Sequence, residues 1–225
     1  MKKIIFGLVA MMLLTASSIT YAQSSKDASK ERQEMAKASK KALNEKASKN
    51  ARKEAKRLTK EGWKTTPGAL PLEKQLDKSY IMQYQYDSDG YPLYFMAEAM
   101  SIGGNYDAAK LQALELAKHN IAGQIQTEIT ALVENDFANE QMEQNEAASI
   151  IRTVMESQTL ISQSLGRLIP VVETYRTING QNKEVLVRIA YPQNAAKSAA
   201  KQVIKKGLEE RGDSLHKKLD KVLGW

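Results

Sequence analysis

Leu111, Leu114, Ala117, Ile121, Ile125, Ile129 and Leu132 follow one another at steps of three or four residues without a break. This spacing predicts a single long amphipathic helix, opened by Asn105 as its cap with Asp107 in the first turn. A stripe of that length cannot stay in water, so the rest of the chain must supply an apolar surface to match it. Strands supply it. Leu93 to Ile102 (LYFMAEAMSI) alternates, with Phe95, Ala97 and Ala99 on one face and Tyr94, Met96 and Met100 on the other. Ile169 to Ile178 (IPVVETYRTI) and Lys183 to Tyr191 (KEVLVRIAY) flank Asn179-Gly180, a strong hairpin signal. Gly103-Gly104 reads as a tight strand-to-helix turn; it lacks the spacing of a phosphate- or dinucleotide-binding loop.

The remaining periodic segments are helical. Ala147, Ile151, Val154, Ile161, Leu165 and Leu168 predict a helix over about 146–166, with Gln158 filling the gap in its stripe. Pro67-Gly68 marks a turn, and Pro71 opens a helix over 71–85 through Leu72, Leu76 and Tyr80. The alternation Tyr80, Met82, Tyr84, Tyr86 makes a strand the rival reading for its second half. Pro192 stops the last strand, and a helix over 194–222 follows with stripe Ala200, Ile204, Leu208, Leu215, Leu219 and Val222, bent at Gly207 or Gly212. Helices segregated onto a small, mainly antiparallel sheet make an α+β fold with helical N- and C-terminal extensions.

The charge of +7 is unevenly placed. Residues 23–62 hold 13 Lys and Arg against 6 Asp and Glu, and residues 193–225 hold 8 against 4. Residues 63–192 are therefore acidic. Before Leu58 the first basic stretch has few large apolar residues, only Met35 and Leu43; alanines at 47, 51 and 55 form a thin stripe ending at Leu58. It reads as a solvated arm, helical or disordered. Ahead of it stand Met1-Lys2-Lys3, an apolar run from Ile4 to Leu14, and Thr15 to Ala22. That order predicts a secretory signal peptide cleaved after Ala22, and a location outside the cytoplasm. The domain reading is thus 1–22 signal peptide, 23–62 basic Lys/Ala-rich arm, 63–91 linker turn and helix, 92–192 α+β domain, 193–225 basic C-terminal helix.

Side chains suited to chemistry are scarce. There is no cysteine, which excludes disulfides, thiol nucleophiles and cysteine-ligated metals, and the histidines are His119 and His216 alone. His119 lies off the apolar stripe and His216 on a basic helix; neither sits beside a local nucleophile, though Ser101 and Ser162 are the hydroxyls a fold could bring to His119. Glu134/Asp136, Glu140/Glu143 and Glu209/Glu210 fall where exposed helix faces and ends put acids. Asp87-Ser88-Asp89-Gly90 resembles the opening of a calcium loop but lacks its closing glutamate. No catalytic, cofactor-binding or metal-binding residue is assigned, and no cofactor. Tyr80, Tyr84, Tyr86, Tyr91 and Tyr94 crowd beside Met82 and Met96, either covering the sheet or forming an exposed face for protein or glycan.

A strand ending in a small-residue turn, Asp107-Ala108-Ala109 opening an Ala-rich helix (AKLQALELAKHNIAGQIQTEI), a second amphipathic helix and a hairpin closing on VLVRIAY together resemble the LPP20-like lipoprotein family of the bacterial envelope. They are also similar to the N-terminal domain of flagellar assembly proteins of the FlgT type. The likeness spans about 92–192 and implies an α+β envelope domain without catalytic residues. The family's lipid-bearing cysteine has no counterpart, so a lipid anchor is not implied. The expected function is that of an exported, periplasmic or envelope-associated binding or structural module, not an enzyme, whose partners are envelope proteins or an anionic envelope surface. Nucleic acid is not expected, nor a transmembrane segment after cleavage; a homo-oligomer is compatible. Binding of anionic lipid or glycan through the basic extensions is the alternative, and a cryptic hydrolase the third reading.

Overall fold

Three antiparallel strands, β1 (Tyr94–Gly103), β2 (Ile169–Ile178) and β3 (Asn182–Pro192), form one sheet in the order β1-β3-β2. The computed structural model describes Lys30, Lys37, residues 45–88, 90–139 and 142–212, and Leu215, Leu219 and Leu223. Compactness divides the chain between Lys46 and Ala47, and the sheet belongs to the second unit. Among the described residues of that unit six helices accompany the sheet: α1 (Lys49–Lys60), α2 (Leu72–Gln83), α3 (Tyr106–Ala138), α4 (Gln144–Glu156), α5 (Gln158–Ser164) and α6 (Gln193–Glu210). The fold is α+β, with helices on both faces of the sheet. No helix among the described residues is long and apolar enough to cross a membrane.

The hairpin turns at Asn179 and Gly180, with φ of 47° and 77°. Glycine takes the left-handed region freely and asparagine tolerates it better than most residues. Ile178 then pairs with Asn182, and β3 becomes the central strand. Its Val185, Val187, Ile189 and Tyr191 point to one face, where they meet Phe95 and Ala97 of β1 in the main core. Leu186 and Ala190 point to the other. A bulge between Pro170 and Val172 lets consecutive valines, Val171 and Val172, both be buried on edge strand β2.

α3 covers the main-core face and begins as expected, with the Asn105 side chain accepting from Ala108 N at 2.8 Å. Its buried row differs from the predicted stripe. Ala109, Ala113 and Ala117 lead into Ile121, Ile125, Ile129 and Val133, every fourth residue, while Leu111 is exposed and Leu114 and Leu132 are half-buried. At Ala109 the cause is close approach. A Cβ on Gly103 would lie 2.8 Å from Ala109 N, so the turn folds back onto the first helical turn, where a methyl group fits and a leucine does not.

The helix predicted over 146–166 is two helices, α4 and α5, parted at buried Ser157. α6 crosses there through Gly207, whose absent Cβ would stand 3.0 Å from Thr153 Cγ2. Gln158 lies against Gly123 of α3. The C-terminal helix is broken at Gly212, one of the two expected bends: α6 ends at Glu210, Gly212 takes a φ of 70°, and Leu219 and Leu223 are helical again. Leu215, Leu219 and Leu223 are nonetheless buried in the main core. Val222 and His216 lie outside the described residues.

The other face corrects the expectation of a solvated arm for residues 47–62; most of 23–44 lies outside the described residues. Ala47, Ala51, Ala55 and Leu58 are buried with Trp63, Leu72, Leu76, Val172 and Leu186. The alanine stripe is the contact face of a packed helix, and a thin stripe suffices because α1 lies against both α2 and the sheet. Lys64 pairs with Tyr175 as an isolated bridge, extending the cover to the edge of β2. α2 runs Leu72–Gln83 with Pro71 as its cap, so Tyr80 and Met82 are helical and the strand alternative is not adopted.

Candidate functional site

The chain leaving α2 forms a small hairpin before β1. Tyr86 bridges Pro92, Asp87 N donates to Tyr91 O at 2.8 Å, and Leu93 N to Gln85 O at 2.9 Å. The Asp87 carboxylate accepts from Tyr91 N at 2.9 Å, and Gly90 turns the chain with a φ of 85°. Asp87 thus shapes a turn; Asp89 lies outside the described residues. This hairpin holds three of the five clustered tyrosines in solvent, Tyr84 at 67%, Tyr86 at 53% and Tyr91 at 60% exposure. Tyr80 and Tyr94 are half-buried.

Between the hairpin and α3 lies an open groove of about 570 Å³. Tyr91, Pro92 and Tyr94 form one wall, and Phe95 and Leu132 contribute apolar surface. Gln124, Glu128 and Asn135 line it from α3, with Gln193 from α6. Lys197 reaches across, 2.6 Å from the Glu128 carboxylate and 5.9 Å from the Tyr91 ring centre. The Gln124 amide is fixed by donating to Met96 O at 2.8 Å. Tyrosine rings beside oriented amides and a paired carboxylate offer stacking surface and directional hydrogen bonds.

A second polar cluster holds the α1–α2 layer to the sheet. Arg188 of β3 donates to Glu98 Oε2 from Nε at 3.0 Å and from a terminal nitrogen at 2.6 Å. Its other terminal nitrogen donates to Ser79 Oγ at 3.0 Å, and Glu54 of α1 stands 3.7 Å away. The Tyr80 hydroxyl donates to Glu54, and this bond, then burial, raises its pKa from 10.0 to about 12. Every nitrogen of the guanidinium is engaged, so the cluster is a clamp. On the opposite face burial, then the hydrogen bond to Glu173, raises the pKa of Tyr106 well above its ordinary value. Lys110 pairs with the same carboxylate at 2.9 Å.

The candidates for chemistry are dispersed. His119 is exposed on α3. Ser101 is buried and donates to Gln112 Oε1 at 2.6 Å. Ser162 is buried on α5. Glu134 is exposed, Glu143 caps α4 in a capping box with Glu146, and Glu210 pairs with Lys206 at 3.6 Å. Glu140 lies outside the described residues. The groove residues Gln124, Glu128, Asn135 and Gln193 are not evident from sequence. The first three flank the apolar row of α3 at helical spacing, which is the signal the sequence offers.

Compared with protein-family models, with curated proteins and with solved structures, the chain finds no match.

Proposed function

We propose that this chain is a non-enzymatic binding module of the bacterial envelope, engaging a partner protein at the groove between the 84–93 hairpin and α3. The observation that carries the reading is the exposure of Tyr84, Tyr86 and Tyr91 on a hydrogen-bonded hairpin beside that groove. A fold that needed these rings for its core would bury them, and tyrosine is enriched where protein surfaces meet. The likeness of 92–192 to LPP20-like lipoproteins and the predicted signal peptide support an envelope location.

The test compares capture from envelope fractions by the full chain and by a Tyr84→Ala/Tyr91→Ala variant. Specific capture by the first and at least tenfold less by the second is expected, with unchanged circular dichroism. Equal capture by both would remove the groove from the function. A second reading, attraction to an anionic surface, rests on the exposed lysines of α1.

A further inference from the structure

We propose that the outer edge of β1 at Met100–Gly103 is a self-association site, where two copies of this chain pair their β1 strands antiparallel about Ser101. α3 runs beside this edge and presents a row of residues four apart, Gln112, Leu116, Asn120 and Gln124. Two of them cap the edge: Gln124 donates to Met96 O at 2.8 Å and Asn120 to Glu98 O at 3.3 Å. Even-numbered residues of β1 therefore direct their backbone groups away from β3. The next in line are Met100 and Ile102. There the row offers Leu116, which can donate nothing, and Gln112, whose amide oxygen accepts from Ser101 Oγ; among the described residues no group pairs with the outward N–H and C=O of Met100 or Ile102. Their side chains are uncovered too, Met100 at 52% and Ile102 at 53%, with Leu116 at 44% in the same cleft.

An open edge flanked by apolar side chains is a template for another strand. The usual guards are missing, since Met100-Ser101-Ile102-Gly103 contains no charge and no proline. The length of the opening selects the occupant. A long foreign strand would compete for the Glu98 and Met96 carbonyls, which Asn120 and Gln124 already hold. A second copy needs only what is free. With Met100 opposite Ile102 of the second copy, and the reverse, two pairs each exchange both backbone bonds. Met100 and Ile102 of both copies then meet on the face away from α3, and the two Leu116 side chains approach on the α3 side. The contact is small, so the dimer is weak and reversible.

Sedimentation velocity on the full-length chain over a concentration series tests this. A reversible monomer–dimer equilibrium is expected. Leu116→Gln completes the amide row and caps Met100 from within; Ile102→Pro removes an N–H that the internal ladder does not use. Each should weaken association roughly tenfold or more, with circular dichroism unchanged. Because the chain lacks cysteine, Met100→Cys mixed with Ile102→Cys should join through a short thiol cross-linker, and neither alone should do so as well. A monomer at every concentration, a dimer unaffected by Leu116→Gln and Ile102→Pro, or equal cross-linking by Met100→Cys alone would overturn the proposal.

Discussion

Tyr80 and Arg188 show how single side chains attach one layer of this protein to another. Arg188 is the one charge within the buried run of β3, and it is tolerated because Glu98, Ser79 and Glu54 surround it. Tyr80 completes the clamp through Glu54. Tyr80→Phe should cost about 1 kcal/mol, the worth of one such hydrogen bond. The effect depends on pH in a defined direction. The folded state holds the proton on Tyr80 up to about pH 12, whereas the free phenol loses it near 10.0. The stabilisation is therefore complete below about pH 10 and lost as pH rises towards 12. Urea unfolding of both proteins from pH 8 to 12 should show the wild-type advantage vanishing in that window, and a constant difference would contradict the clamp.

At the level of elements, α1 carries the main surprise. Alanine is both the best helix former and the smallest contact residue, so its spacing alone cannot distinguish a packed helix from a solvated one. The clue lies elsewhere, in the run Val185-Leu186-Val187: a strand covered on one face needs alternation, and consecutive apolar residues mark cover on both. Ala51 is fully buried. Ala51→Leu should cost about 1–3 kcal/mol by overpacking, and Lys53→Leu on the exposed side less than about 0.5 kcal/mol, measured as urea midpoints. Equal effects would mean that α1 does not pack. By contrast the hairpin and the start of α3 are legible in the sequence, because Asn-Gly and an asparagine cap act locally. The groove is only half legible. Its tyrosines are neighbours in sequence, while Gln124, Glu128, Asn135 and Gln193 come from distant elements that only folding unites.

For the whole molecule, the packing of α1 redistributes charge. Residues 47–62 hold six basic and two acidic side chains, more than half of the excess carried by residues 23–62. Lys49, Lys53, Lys56 and Lys60 lie along the exposed side of α1, so this charge is fixed on the folded unit. If this face draws the protein to an anionic surface, retention on vesicles of anionic lipid should fall steeply with salt and be lost when the four lysines are changed to glutamine. Retention unchanged by both would exclude it. The strand order has a further consequence, for the nascent chain. Among the described strands β1 and β2 do not pair with each other; each takes its ladder from β3, the last strand to be made. Until residues 182–192 emerge there is no sheet for any helix to pack on, so the two-sided core can close only after the last strand has been synthesised.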